Sequence, residues 1–249
     1  MKSFIITISS NKDSVRSAKQ VRESAKKVGY KSTLEHFEAI KPEQWRSVLP
    51  TSNTNFSLMD RKTGAQFGKP DNLGACFASH YLLWKKCIEL NKPILILEHD
   101  AIFVDNLPDI DFKMCVNFGR PSHIRPFEIL YKEPGKGLHP LVQLNYYGHH
   151  AYAIKPQAAK QLIEDVQHRE LIANDMWLDK DHYPWLEDYR PYPIVADTDF
   201  STTQTTYEED NVLLKELRKI TALDSPHRSY FEKYFPECLT AQSQRHIDV

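Results

Sequence analysis

Apolar and polar positions alternate along the chain in blocks that predict a βαβ beginning. Phe4–Ile8 is a short apolar run, followed by the polar turn Ser9-Ser10-Asn11. Val15, Ala18, Val21, Ala25 and Val28 then recur near helical spacing, with Asp13 or Ser14 available as a cap and Gly29 as a stop. Thr33–Phe37 reads as a second strand. Strand, helix, strand at this spacing predicts an α/β fold with a parallel sheet. Residues 50–72 are polar, with Gly64, Gly68 and Pro70, and read as a long loop. A helix is expected from Leu73 to Leu90, capped by Asp71 or Asn72, with Leu73, Cys76, Phe77, His80, Trp84, Cys87 and Ile88 in one stripe.

Ile94–Leu97 is wholly apolar, as a strand buried on both faces would be, and it delivers Glu98-His99-Asp100 at its carboxyl end. Met114–Phe118 is a further short strand, and Gly119–Pro140 is an excursion rich in Pro and Gly. Tyr146–Ile154 contains a strand. Pro156 opens a helix carrying Ala158, Ala159, Leu162, Ile163 and Val166, and Pro191–Val195 is a late strand. The last forty or so residues read as helical and charged, so the chain divides into a main domain over 1–205 and a helical extension over 206–249 packed on it.

Composition narrows the class. The 249 residues are 41% hydrophobic and 26% charged, enough apolar material for a sizeable core. A net charge of −1 from 32 basic and 33 acidic residues advertises no polyanionic partner, although a local patch would suffice for one. Cys76, Cys87, Cys115 and Cys238 form no CxxC and read as reduced apolar fillers, which points to the cytoplasm. No apolar run approaches the roughly 18 residues of a membrane span, and the opening MKSFIITISSNKDS fits a strand better than a signal peptide. A membrane-linked role would therefore be peripheral.

The chemistry-bearing feature is ILILEHDA. Ligands of α/β sheets bind beyond the carboxyl ends of strands. Two carboxylates at i and i+2 there can converge on a hard cation and a ribose, although a solvated turn would look the same. Four ordered blocks add to it: NLGACFASHYLLWKKC, ILILEHDAIF, GHHAYAIKPQAAKQLI and NDMWL. Together, over about residues 70–201, they resemble glycosyltransferase family 25, which includes lipopolysaccharide and collagen galactosyltransferases. Gly74, Cys76, Ser79 and His80 match its Gly/Cys/Ser/His helix start, Glu98 and Asp100 match its acidic triplet, and Asp175 matches its downstream Asp. His99 replaces the usual middle Asp, and ITISSNKDSVR departs from the family's first turn.

The resemblance implies a GT-A-like fold, a single Rossmann-like domain with a mixed, mostly parallel sheet flanked by helices. It implies an inverting hexosyl- or pentosyltransferase with a nucleotide-sugar donor, a UDP-sugar foremost, and a divalent metal, Mn or Mg. The metal falls to Glu98 and Asp100. Donor contacts fall to Ser9, Asn11, Gly74, Ser79, His80, Glu98 and Asp100, and the base to Asp175, with Asp179 and Asp181 in reserve. Each position has a plainer reading. Asp175 could cap the MWLDK turn, and His80 could be a satisfied core histidine. His149-His150 could pack or contact substrate, and Trp185 could stack a sugar or lie in the core.

The acceptor divides the reading. A saccharide end is one version. The EHD form and the PWL-x-x-Y segment also resemble compact phage proteins of this kind, for which the acceptor would be a hydroxymethylated pyrimidine in DNA and the place the host cytoplasm. Arg120, Arg125, Lys132 and Lys136, set against Glu128 and Glu133 and interleaved with Phe127 and Tyr131, could meet such an anion or form a solvated face. A catalytically silent glycan- or nucleotide-binding module is the alternative class. No zinc pattern, phosphate loop or nucleophile elbow is present in the sequence.

Overall fold

A computed structural model describes residues 1–50, 70–120, 135–141, 144–146 and 149–197. These fall in the compact unit formed by Met1–His123 and Gly135–Thr205. The expected 206–249 extension, the charged residues Arg125, Glu128, Lys132 and Glu133, and Cys238 lie outside the described residues.

The architecture is a mixed α/β sandwich. The main sheet runs in the order β2 (Leu34–Glu38), β1 (Lys2–Thr7), β3 (Ile94–Glu98), β7 (Ala151–Ile154), β5 (Cys115–Asn117), β8 (Leu186–Arg190), β6 (Gly137–Pro140). β1, β2, β3, β5 and β8 point one way, and β7 and β6 run against them. A small second sheet pairs β4 (Ala101–Phe103) antiparallel with β9 (Ile194–Ala196).

Central β3 shows why its sequence is continuously apolar. Ile94 and Ile96 face one core with Phe4, Tyr152 and Ile154, and Leu95 and Leu97 face the other with Ile5, Val116 and Ala153. The first core is closed by α3 (Pro70–Leu90) and α4 (Pro156–Asp165), the second by α1 (Lys12–Lys27). Each fully buried Leu or Ile contributes roughly 1.5–3 kcal/mol, so this strand is held rigidly and its carboxyl end is a fixed point.

Local details depart from the sequence reading in informative ways. The cap of α1 is Asn11, whose side chain accepts from the N–H groups of Asp13 and Ser14. Ser14 instead accepts from the Ile8 N–H at 2.9 Å. Helix α3 begins at Pro70 rather than Leu73, so Asp71 is not its cap. Asp71 ties the helix to α2 (Trp45–Val48), accepting from Trp45 Nε1 at 3.0 Å and Arg46 at 2.6 Å. Strands β4, β6 and β8 escaped the periodicity reading. Among the described residues no helix is long and apolar enough to cross a membrane.

Candidate active site at the carboxyl end of β3

Three elements converge where β3 ends. β3 itself presents Glu98, then His99 and Asp100 in the following turn. Helix α3 passes above with Cys76 and His80, one turn apart on one face. β7 arrives in the opposite direction, so its beginning, not its end, meets Glu98. The Glu98 N–H donates to the His150 carbonyl at 2.8 Å, which brings His149 and His150 to the site.

His80 is completely buried and both ring nitrogens are engaged. Nε2 lies 3.3 Å from Glu98 Oε1, and Nδ1 lies 2.9 Å from the Tyr152 hydroxyl. Tyr152 also accepts from Trp84 Nε1 at 2.9 Å. A buried relay therefore runs Trp84, Tyr152, His80, Glu98. Cys76 Sγ sits 3.9 Å from the same Glu98 oxygen. His149 stacks on Tyr152 at 4.0 Å and on His80 at 4.9 Å, and its Nδ1 meets Asn174 Nδ2 at 2.8 Å. Asn174 opens the short helix α5 (Asn174–Trp177), so this bond anchors the turn that carries Asp175.

The two carboxyl groups are shifted in opposite directions. Burial raises Glu98, but the His80 bond and the charges of His80, His99 and His150 outweigh it, and Glu98 lies below the usual carboxylate range. Asp100 is pushed well above that range by burial, by the Glu98 charge and by that of Asp197. Asp100 Oδ1 is buried with no hydrogen-bond partner among the described residues. Asp197 follows β9, and its N–H donates to the Asp100 carbonyl at 2.8 Å, making it a third acidic residue at this end. The Cys76 thiol is pushed well up by burial and then by the charges of Glu98, Asp175 and Asp100. Burial, with the charges of His80 and His150, holds His149 neutral, well below its ordinary value.

The site residues expected from sequence occupy varied places. Glu98 and Asp100 stand together at the end of an inner strand. Asp175 is half-buried and close enough to act on Cys76. Asp175 is not the cap of its turn, since Ala173 holds that position without a side-chain bond. Asp179 is bound to Arg169 at 3.0 Å and His182 at 2.9 Å, and Asp181 is exposed.

Ser79 is buried, accepting from the Ile40 N–H at 2.9 Å and donating to the Ala75 carbonyl at 2.8 Å. A Cβ on Gly74 would lie 2.6 Å from the Trp45 indole, so helix packing is what requires this glycine. Ser9 bonds Glu38 and stands 3.4 Å from His36, and Asn11 caps α1. Trp185 donates to Gln161 at 3.0 Å and is half-buried against the first core.

Cys76 corrects the filler reading. Cys87 and Cys115 are core residues, but Cys76 is half-buried beside Glu98. Sequence reasoning also missed a polar cluster on neighbouring strands. Asn117 Nδ2 donates to the Gly119 carbonyl at 2.9 Å and to Asp188 at 3.2 Å, and Arg190 lies 3.4 Å from Asp188. Asp188 is fully buried, and burial raises its carboxyl although Arg190 and Asn117 oppose the shift. His150 connects the two clusters, because its ring occupies the space a Cβ on Gly119 would fill, with Nε2 only 2.8 Å from that point. Only the paired His149-His150 before a strand carried a signal for any of this.

Residues 1–124 match the family described as glycosyltransferase family 25 (LPS biosynthesis protein). The match contains Cys76, His80, Glu98 and Asp100. It ends before the GHHAYAIKPQ and NDMWL blocks on which the resemblance also drew. No curated protein matches the chain.

Proposed function

The chain belongs to glycosyltransferase family 25 and is a glycosyltransferase, and from that premise we propose that it moves a sugar from a nucleotide-diphosphate-sugar to an acceptor hydroxyl, with inversion, at the end of β3. The single observation that carries the location is the opposed pair Glu98 and Asp100. A carboxyl pushed up by burial and then by a neighbouring carboxylate, with an oxygen that has no hydrogen-bond partner among the described residues, fits a cation. Glu98 and Asp100 would hold a divalent ion of the Mn or Mg class, which supplies charge neutralisation on the departing diphosphate.

The remaining chemistry belongs to the chain's own groups. His80, fixed by Tyr152, orients Glu98 as a carboxylate. Asp175 takes the proton of the acceptor hydroxyl while the acceptor oxygen bonds the anomeric carbon and the bond to the diphosphate breaks. The half-buried Asp175 is held near this end by the Asn174–His149 bond and is not engaged as a helix cap. The family description, LPS biosynthesis, favours a saccharide end as acceptor. A UDP-sugar is the donor to test first.

The test separates binding from chemistry in two variants. Asp175→Asn is expected to keep the donor-induced thermal shift and to lose transfer by about 100- to 10,000-fold. Asp100→Asn is expected to lose the metal-dependent part of the donor shift as well. Near-normal turnover in Asp100→Asn would remove the metal assignment. Metal-dependent donor binding with no transfer or hydrolysis by the wild-type chain would favour a binding module.

A further inference from the structure

Cys76, His80 and Glu98 bring a thiol, an imidazole and a carboxylate to one point, with all three ligand atoms within 4.8 Å of one another. Zinc–ligand bonds of about 2.3 Å to sulfur and 2.0–2.2 Å to nitrogen and oxygen, arranged tetrahedrally, put neighbouring ligand atoms about 3.4–3.6 Å apart. His80 Nε2 to Glu98 Oε1 is already 3.3 Å, and Cys76 Sγ to the same oxygen is 3.9 Å. A small turn of the Cys76 side chain closes the remaining edge, since Cys76 and His80 are one helical turn apart. From this geometry we propose that Cys76, His80 and Glu98 form a binding site for a thiophilic divalent cation of the zinc class, distinct in its ligand set from the Glu98–Asp100 pair.

Two surroundings support it. Ligating histidines are held through their second nitrogen, and His80 Nδ1 is held by the Tyr152 hydroxyl at 2.9 Å. The Tyr152 oxygen, which already accepts from Trp84, has a second lone pair for an Nδ1–H. The site also has an entry path, because Cys76 is half-buried and the Glu98 side chain is 27% exposed.

Ion binding is linked to proton release. The Cys76 thiol gives up its proton to solvent as the sulfur–metal bond forms, and His80 binds through an unprotonated Nε2. Glu98 is shared with the proposed donor cation, so on that reading zinc and donor exclude one another.

Cobalt(II) is the probe, because its bond to a thiolate gives a near-ultraviolet charge-transfer band. The chain is used with Cys238→Ser, which removes the thiol outside the described residues. Titration is expected to give a band saturating at one equivalent and reversed by Zn²⁺, with an affinity that falls as pH is lowered. Adding Cys76→Ser should abolish the band, and Cys76→Ala serves the same purpose should the serine chain not fold. Absence of the band in the parent, or its persistence without Cys76, overturns the proposal. Neither result bears on sugar transfer, because no donor or acceptor is present.

Discussion

Gly74→Ala tests what the helix start on α3 is built to do. An added Cβ would lie 2.6 Å from Trp45 Cδ2 and Cε2 and 2.9 Å from Cγ. Carbon atoms pack at about 3.5–4.0 Å, so the indole or the helix must move by roughly 1 Å. The indole has nowhere to go cheaply. Trp45 is fully buried, its Nε1 donates to Asp71 at 3.0 Å, and the Arg46 guanidinium covers its ring at 4.2 Å. Asp71 is on α3 itself, so sliding the ring away from Gly74 also strains that bond.

Overpacking costs about 1–3 kcal/mol, and weakening the hydrogen bond adds about 1 kcal/mol. Alanine's helix propensity returns about 1 kcal/mol. The net is a loss of about 1–3 kcal/mol, or roughly 2–10 °C in Tm for a chain of this size. Thermal unfolding measures it, and a donor titration by thermal shift accompanies it. Should Gly74 instead admit the donor, alanine would leave Tm unchanged or higher and weaken donor binding alone. That outcome would refute the packing argument. Pairing Gly74→Ala with Trp45→Phe gives a further check, since a smaller ring should make the two losses less than additive.

Tyr152→Phe leaves His80 Nδ1 and Trp84 Nε1 without their buried partner, so it should destabilise by about 1–3 kcal/mol; a neutral Tm would show that the relay does not hold the site. Asp179 offers a pH test: burial raises its carboxyl, but the His182 bonds and the charges of His182 and Arg169 bring it below its ordinary value. A depressed acid stabilises fully above its unfolded pKa of about 3.9 and loses that stabilisation as pH falls through the folded value. The Tm gap between wild type and Asp179→Asn should thus be present at about pH 5 and close below about pH 4, and a gap that persists there would sink the assignment.

How much of the fold could be read from sequence depended on where each residue found its partner. α1 and β3 were legible because their burial is set by their own periodicity: one apolar stripe for the helix, an unbroken apolar run for the strand. β8 was not, because LEDYR has neither an apolar run nor a regular alternation of apolar and polar positions. In the structure all five of its residues are buried. Glu187 accepts from the Lys113 N–H at 2.7 Å, and Asp188 meets Asn117 and Arg190. Those partners lie far away in sequence, so no local pattern announces them. Cys76 was misread for a related reason. Its place on an apolar stripe describes the helix correctly, but its exposure depends on what stands opposite, and Glu98 stands there. Asp197 could not be found, because only the pairing of β9 with β4 brings it to Asp100.

The opposite shifts of Glu98 and Asp100 follow from the same pairings. In an all-parallel sheet, the neighbour of β3 would present its carboxyl end beside Glu98. β7 is reversed, so it presents its beginning, and the His150 carbonyl receives the Glu98 N–H. Glu98 is thereby surrounded by imidazoles from three sources: His80 on α3, His99 beside it in the chain, and His150 at the start of β7. Asp100, two residues on, has already turned towards the second sheet. Its neighbour there is Asp197, and the nearby charges acting on it are those of Glu98 and Asp197. The i, i+2 spacing alone would predict two similar carboxylates. The change of neighbouring strand between them shifts one down and the other up. His99, in place of a third carboxylate, reinforces that asymmetry, because it adds to the field that lowers Glu98.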